Sequence, residues 1–522
     1  MRRRSSLLAA ILLVAVVGAA CAGAAVGQAG GQARIVLGQP TTLDPAAAGD
    51  AGSSALTAQF FESLTAFDPD LELQPALAES WRVEDEGRRV IFHIRPGLTF
   101  SDGSPLRAAD VVRSWLRIID PSAPSPLATI MLDVAGAFEY VTGQAGAEAV
   151  GLRADDAAND VIVDLVRPAA EFPTIVSCPT FGIVPEGLTA GGGGLEPGDR
   201  FVASGGYTLA AADDATMTLV ANQRYWAGTP AIATITVVTD LAGDSPVAAF
   251  ERGDVDYTGV SSFDSSWLAY DATLGPQLRS VPSLSTDYFG FDTGEPPFDD
   301  VRVRQAFGKA VDWRRIARLG VDDPAAVANS MVPPGIPDRT DRDMLPAYDP
   351  DAARALLAEA GYPAGRGFPD VRLVTGGTGY DEAIVTELER ELGIDLGYEA
   401  MEFDDYFPRL DEDPPAMWAL SWVADYPGRN DFLGVLLGSG STSNYGRWSS
   451  PEFDAAIAEA GATADPAATA AAYDRAEEIV QRDVPVVPIS YGTGWALARE
   501  GLLGAGQNGL GTLRFAGLAW AP

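Results

Sequence analysis

The chain has 522 residues, of which 47% are hydrophobic, and its formal net charge at pH 7 is −36. This excess of acid argues against binding to nucleic acid and against electrostatic docking on anionic lipid, since both would repel a polyanion. Its 10 Trp and other apolar residues allow large cores, whereas 2 Cys give no disulfide framework.

The N-terminal segment has the pattern of an export signal. Three arginines precede an apolar run shorter than the roughly 20 residues of a membrane-spanning helix, so residues 1–20 are predicted as a signal peptide. The stretch VGAAC resembles a lipobox, in which Cys21 is lipidated and starts the mature chain. Gly18 stands where a larger aliphatic residue is usual, which leaves ordinary signal cleavage as the alternative. Residues 21–32 are small and are predicted to form a flexible tether.

Beyond the tether, strand-like and helix-like segments alternate, which is typical of an α/β fold. Runs rich in β-branched residues predict strands at Val90–Ile94, Val161–Val166, Ile232–Val238, Val371–Val374 and Val484–Ile489. Apolar stripes, most of them with cap residues and prolines, predict helices at 301–320, 350–360, 451–460 and 466–483. Gly- or Pro-rich stretches predict two breaks in regular structure. Thr189–Asp199 is predicted to be a loop or subdomain boundary, and Asp292–Asp300 a crossover.

The sequence offers little of the chemistry that enzymes use. His93 is the only histidine, and strand alternation places it with Arg95 on the face opposite Phe92 and Ile94, which indicates a half-exposed strand residue. The serines lack nucleophile-elbow spacing, and two cysteines with one histidine cannot complete a usual zinc site. We therefore predict no catalytic residue, no metal and no cofactor. A secreted hydrolase that uses a pair of carboxylates is an alternative, because any two acids can come together in the folded chain.

The stretch WALSWVADYPGRND (Trp418–Asp431) is an apolar, strand-like run that ends in Asp425 and a turn. Either Asp425 caps the turn, or the strand carries a carboxylate to a ligand. Trp422 and Tyr426 lie beside Asp425 in the sequence and offer aromatic faces for stacking, whereas Trp418 is predicted to be core. The residues alone leave both interpretations open.

The block Asp68–Trp115, with LAESW followed by a strand and R-x-G-x-x-F-S-D-G, resembles the family 5 solute-binding proteins of ATP-binding-cassette importers. Further blocks agree in order and cover almost all of the chain after the tether: SGGYTL, NQRYWAG, FERGDVD, VRQAFGKAVDW, MVPPG, YDPDAARALLAEAGYP, SWVADYP, SPEFD and RDVPVVPIS. The resemblance implies an α/β fold of the type II, cluster C periplasmic-binding class, in which two lobes close on a ligand. Lobe one would comprise 33–280 and 484–522, with an extra subdomain at about 59–200, and lobe two would comprise 281–483.

The resemblance also implies a function. The chain would be an extracytoplasmic lipoprotein without catalytic activity, expected as a monomer. It would capture a small solute, foremost a peptide, and deliver it to the permease subunits of an importer. Lipidated Cys21 would hold it on the outer face of the cell membrane; without the lipid it would be secreted or periplasmic. The alternatives are an oligosaccharide or another amine-bearing metabolite as ligand, and a secreted hydrolase.

For the binding site, the resemblance implies that Asp425 accepts the ammonium group of the ligand. Trp422 and Tyr426 would stack on the ligand, and Asn444 would offer a polar contact from the adjoining loop. Some peptide binders of the family place an arginine six residues before the aspartate to receive the ligand carboxylate. Ala419 stands at that position here, which puts a simple transfer of peptide specificity in doubt.

Overall fold

The computed structural model describes residues 31–522, except 170, 189–193, 199, 321–325 and 464. The predicted signal peptide 1–20, Cys21 and nearly all of the tether lie outside the described residues, as does most of the predicted loop Thr189–Asp199. Within these limits, no helix is both long and apolar enough to cross a bilayer.

The strands are, in chain order, β1 (Gln32–Val36), β2 (Thr65–Phe67), β3 (Leu73–Pro75), β4 (Ala78–Glu84), β5 (Arg89–Ile94), β6 (Leu152–Asp155), β7 (Asp160–Asp164), β8 (Tyr207–Ala212), β9 (Thr216–Ala221), β10 (Thr234–Val238), β11 (Tyr257–Gly259), β12 (Leu278–Phe291), β13 (Val371–Thr375), β14 (Leu396–Ala400), β15 (Met417–Val423), β16 (Val486–Ala498), β17 (Leu502–Leu503) and β18 (Ala519–Trp520). The α-helices are α1 (Ala51–Phe60), α2 (Ala108–Ile118), α3 (Ala137–Val141), α4 (Phe172–Ile175), α5 (Pro246–Arg252), α6 (Ser262–Leu268), α7 (Val301–Ala310), α8 (Trp313–Gly320), α9 (Pro350–Glu359), α10 (Asp381–Leu392), α11 (Phe403–Glu412), α12 (Pro451–Gly461) and α13 (Pro466–Asp483).

The largest sheet is mixed and has the strand order β14-β13-β15-β12-β16-β11-β1-β10-β9-β8. The long strands β12 and β16 lie side by side in its middle and run antiparallel. The second half of β12 also pairs with β15, whereas the end of β16 also pairs with β11. These two strands therefore join the two halves of the sheet.

The pairing of β12 with β16 is interrupted between the two halves. Leu278–Pro282 pairs with Thr493–Leu497, the register then shifts between Pro282 and Thr286, and the ladder resumes with Val486–Tyr491. The chain thus passes from one half of the sheet to the other within β12. The predicted crossover loop Asp292–Asp300 follows that passage and leads into α7.

A smaller sheet, in the order β4-β5-β7-β6, forms a separate layer with α2 packed on it. The ring of Trp115 on α2 meets Phe92 of β5 edge-on, with centroids 6.0 Å apart, in the core of this layer. His93 points away from the core, and its Nδ1 lies 2.7 Å from a carboxylate oxygen of Asp160. The predicted alternation along β5 is confirmed. Tyr426, which follows β15 and is far from this layer in the sequence, belongs to the same core.

The helix starts that the sequence predicts at Asp349 and Ser450 are confirmed, and α13 starts in the same way at Asp465. The side chains of Asp349, Ser450 and Asp465 accept hydrogen bonds from backbone amides in the first turns of α9, α12 and α13. The helix predicted over 301–320 is interrupted, because Val311 is extended and α7 ends at Ala310. Asp312 then accepts a hydrogen bond from the amide of Arg315 and starts α8.

Candidate functional site

Asp425 lies in a cleft of about 780 Å³, counting the solvent at its open side. It emerges where β15 ends, and the amide of the preceding Ala424 donates to the carbonyl of Leu284 in β12. The cleft is also lined by α1 and the segment that follows it, by the segment around Cys178 and by the chain after β17. Its lining residues are Ser54, Ala58, Phe61, Ser63, Phe67, Leu127, Ser177, Cys178, Pro179, Asn508, Leu510, Thr512 and Arg514.

The carboxylate of Asp425 accepts no hydrogen bond from any residue that the structure describes. Burial raises the pKa of this carboxyl to about 6, because the charged form loses hydration without gaining a donor. An unpaired, desolvated acid at the wall of a cleft is a candidate for ligand binding. Its environment suits a cation that brings its own hydrogen-bond donors.

Asp431 lies directly behind Asp425 and is fully buried, with an exposed fraction of 0%. Its Oδ2 accepts hydrogen bonds from Trp422 Nε1, at 2.9 Å, and from the amide of Asp425, at 3.3 Å. Burial, and then the charge of Asp425, raise the pKa of Asp431 well above its usual range. Burial therefore opposes ionisation more strongly at Asp431, which is fully enclosed, than at Asp425, which lines the cleft.

The other predicted site residues, Trp422, Tyr426 and Asn444, have surroundings that differ from those of Asp425. The indole of Trp422 orients Asp431 through its hydrogen bond. Tyr426 is 2% exposed and packs in the core of the β4–β7 layer, where its hydroxyl accepts a hydrogen bond from Asn430 at 3.0 Å. Asn444 holds its own loop, since its amide donates to the carbonyl of Trp448 at 2.7 Å and to two others. Trp418 is 2% exposed, as predicted for a core residue.

The lining of the cleft also includes a cation, Arg514, and a thiol, Cys178. Arg514 donates from Nη1 to Glu62 Oε1 at 2.9 Å, and Glu62 also accepts from the hydroxyl of Tyr225. Cys178 is 7% exposed, and burial raises the pKa of its thiol to about 12, with a further contribution from the charge of Asp425. This thiol stays protonated at neutral pH and is a weak nucleophile.

Sequence reasoning missed Asp431 and Arg514. For Asp431 a signal existed, because a second acid six residues after Asp425 bounds the same turn. Arg514 gave none, since it reaches the cleft only through the path of the last segment of the chain. In the part of the chain that the structure describes, no group of three or more His, Cys, Asp or Glu side chains is arranged to hold a metal ion.

The comparisons with known proteins agree with this architecture. Residues 72–444 match the model of the bacterial extracellular solute-binding proteins, family 5. A probable deoxycholate-binding periplasmic protein of Escherichia coli is 31% identical over 469 residues, which cover 87% of this chain and 86% of the relative. A periplasmic oligopeptide-binding protein of Salmonella typhimurium is 27% identical over 517 residues, 94% of this chain and 93% of the relative.

Solved structures of similar fold include a clavulanic acid biosynthesis oligopeptide binding protein, with a TM-score of 0.82 and 24% identity over 94% of this chain and 96% of that one. The murein tripeptide binding protein of Escherichia coli gives a TM-score of 0.79 at 24% identity, over 94% and 99% of the two chains. These likenesses confirm the α/β, type II periplasmic-binding fold expected from the sequence. Because the family model spans well over half of its length, the chain belongs to the bacterial extracellular solute-binding proteins of family 5.

Proposed function

We propose that this protein is the extracytoplasmic receptor of an ATP-binding-cassette importer, and that it binds a short peptide between two lobes and delivers it to the permease. The observation that carries the proposal is the carboxylate of Asp425, which lines the cleft without a hydrogen-bond donor from the described residues. An α-ammonium group would supply three donors and a compensating charge in a site that closes over it. Relatives named for oligopeptides and a murein peptide support this class of ligand.

Other ligands fit this cleft less well. An anionic amphiphile such as deoxycholate, for which one relative is named, would place its charge in the same cleft as Asp425. A neutral oligosaccharide would leave Asp425 without a charged partner, whereas another amine-bearing metabolite would satisfy it as a peptide does. We infer binding without catalysis, because Asp431 is buried behind Asp425 and the two carboxyls do not flank a common space.

We also propose where the lobes divide. The register shift in β12, and the position near Gly492 that matches it in β16, divide each of these strands into two parts. On one side of the division β12 pairs with β15, and on the other side β16 pairs with β11. One lobe would then run to Pro282 and resume at Thr493, and the other would lie between them, so that the return crossing falls inside β16 rather than at 484. The β4–β7 layer would be the extra subdomain of the first lobe.

Membrane attachment through Cys21 is part of the same proposal, with the protein acting as a monomer on the outer face of the cell membrane. The support is the lipobox-like VGAAC stretch. Metabolic labelling with a fatty acid should tag the wild type and a Cys178→Ser control but not Cys21→Ser. Equal labelling of all three would mean that the lipid is attached at another residue, whereas no labelling of the wild type would mean that the protein is secreted or periplasmic.

The decisive experiment replaces Asp425 by asparagine, which keeps the shape and removes the charge. A library of free peptides of two to five residues is screened by native mass spectrometry, and the best binder is then measured by calorimetry. Asp425→Asn should weaken binding by about 2 kcal/mol or more, roughly thirtyfold, because the ammonium group stays buried without its counter-charge.

The matched control is Asp214→Asn, which removes the same charge from an exposed residue between β8 and β9. This control should bind like the wild type. If Asp425→Asn weakens peptide binding by less than about threefold, Asp425 is a turn residue and the ligand binds elsewhere.

A further inference from the structure

Three large aromatic side chains are exposed along α6 and the turn that follows it. Phe263 is 79% exposed, Trp267 43% and Tyr270 90%. Phe263 and Trp267 are four residues apart, and Tyr270 follows three residues later, so this spacing places the three rings on one side of the helix. We call these three residues the aromatic stripe. Exposed apolar residues that are grouped in this way are typical of a surface that binds another molecule.

The other side of α6 is packed on β16, the strand proposed to carry the chain between the lobes. Leu268 of α6 belongs to the same apolar cluster as Leu497 of β16. Just before the helix, the amide of Val260 donates to the carbonyl of Trp495 at 2.9 Å. Trp495 lies close to Thr493, where the proposed first lobe resumes. A molecule bound to the aromatic stripe would therefore sit on the first lobe, beside the place where the lobes divide.

The charged residues of this part of the chain are all acidic. Residues 253–278 include no Lys or Arg, whereas they include Asp254, Asp256, Asp264 and Asp271. Asp254 and Asp256 are paired with arginines, but neither Asp264 nor Asp271 has a cationic partner among the residues described. Asp264 adjoins the rings, because its Oδ1 accepts a hydrogen bond of 3.4 Å from Trp267 Nε1. Aromatic faces next to unpaired carboxylates are complementary to arginine and lysine side chains.

These charges decide which surface fits the aromatic stripe. A second copy of the chain would bring the same carboxylates, and anionic lipid would meet a molecule of formal net charge −36, so both are repelled. The solute itself binds elsewhere, since no residue of α6 lines the cleft at Asp425. The complementary surface is that of a protein with exposed basic and apolar residues. Aromatic rings that are buried at the centre of such an interface supply much of its binding energy.

We propose that the aromatic stripe docks on the permease of the importer, against basic residues of its extracytoplasmic side. This inference rests on the proposed function, in which the permease is the protein that receives the solute. The position of α6 beside the crossing of β16 would bring the permease close to the part of the molecule where closure changes the angle between the lobes. Delivery of the solute should then depend on the stripe, whereas affinity for the solute should not.

The test measures uptake and binding separately. The variant Phe263→Ser/Trp267→Ser/Tyr270→Ser replaces the wild type in the native host, and uptake of the best peptide from the library is followed with a radiolabel. Uptake should fall about tenfold or more, because the interface loses its aromatic anchors. The Kd of the purified variant for the same peptide should stay within about twofold of the wild type, since the cleft is unchanged.

The matched control is Phe138→Ser/Leu319→Ser/Tyr348→Ser, which removes three exposed side chains of similar size from other parts of the surface. It should take up and bind the peptide as the wild type does. Thermal unfolding, and the amount of each variant outside the cell membrane, identify a loss of uptake that comes only from misfolding or poor export.

A second variant tests the charges of the same surface. Asp264→Asn/Asp271→Asn keeps the rings and the local hydrogen-bond acceptors but removes both carboxylates. Uptake should fall about threefold, because the attraction to basic residues is weakened, and the affinity for the peptide should not change. A photo-crosslinking benzoylphenylalanine placed at Trp267 should attach, in cells, to a permease subunit with several membrane-spanning helices.

The inference is overturned if the variant without the three rings takes up the peptide within about twofold of the wild type, a difference too small for the loss of an interface anchor. It is also overturned if the crosslink from position 267 goes to a second copy of this chain or to lipid. In both cases peptide binding and delivery stand. If cells that lack this protein take up the peptide as fast as cells that contain it, the proposed function fails, and this inference fails with it.

Discussion

The carboxyl of Asp425 has a raised pKa because β15 ends at a buried part of the cleft wall. Burial raises its pKa from 3.8 to about 6, so the folded protein binds a proton there more tightly than the unfolded chain does. This preference favours the fold fully below about pH 4 and is lost as the pH rises through about 6. At neutral pH the ligand-free protein therefore bears the cost of a buried charge that the ammonium group of a ligand would relieve.

The replacement Asp425→Asn should remove that cost in the absence of ligand. At pH 7 the free energy of unfolding of the variant should exceed that of the wild type by about 1–3 kcal/mol, and the difference should vanish near pH 4. Urea unfolding of both proteins between pH 4 and 8 measures this. A difference that does not change with pH would show that Asp425 is not desolvated. The same substitution should thus raise stability and lower affinity, which is expected of a binding residue whose charge is buried without a partner until the ligand binds.

At the scale of elements, local signals were enough to predict caps and strands, but not which elements meet. Asp349 and Ser450 cap the helices predicted for them, since capping is decided within one turn. The position of Asp425 at a strand end was equally readable from the apolar run before it. Arg514 and Tyr426 were not predictable from the residues, because each is placed by contacts with segments hundreds of residues away. The residues that complete the cleft around Asp425 are therefore brought together only by the tertiary fold.

The pairing of β12 with β15 depends on a glycine. A Cβ at Gly290 would collide with the ring of Trp418, which is buried and meets Tyr288 edge-on with centroids 5.5 Å apart. Gly290→Ala should therefore lower the free energy of unfolding by about 1–3 kcal/mol through overpacking. The control Gly440→Ala adds the same methyl group where nothing lies within 4 Å and should leave stability within about 0.5 kcal/mol of the wild type. Equal unfolding midpoints for the two variants would mean that the indole moves at little cost.

In the whole molecule, several contacts link the proposed lobes on either side of the cleft. Tyr426 inserts into the core of the β4–β7 layer, and the amide of Leu284 donates to the carbonyl of Gly509 at 2.7 Å. Arg167, held by Asp133 through an Nε–Oδ1 bond of 2.7 Å, lies against the end of α12 at Gly461. The lobes thus touch in this arrangement, which is the one expected to enclose a ligand.

The contact at Gly461 offers a way to oppose closure without damaging either lobe. A Cβ at this position would collide with the guanidinium of Arg167, whereas leucine suits the helical conformation at the end of α12 better than glycine. In Gly461→Leu, small-angle scattering should show a radius of gyration that stays large when the peptide is added, whereas that of the wild type decreases. Affinity should fall, because binding energy is spent on a less favourable closed state, and thermal stability should not fall.

The matched control for that experiment is Ala455→Leu, which places the same side chain at an exposed position of the same helix. It should close on the peptide as the wild type does. If Gly461→Leu also closes with undiminished affinity, Arg167 moves aside freely and the contact does not limit closure. If the radius of gyration of the wild type does not change with ligand, the lobes are fixed, and ligand must enter the cleft near Asp425 and Arg514 through its open side.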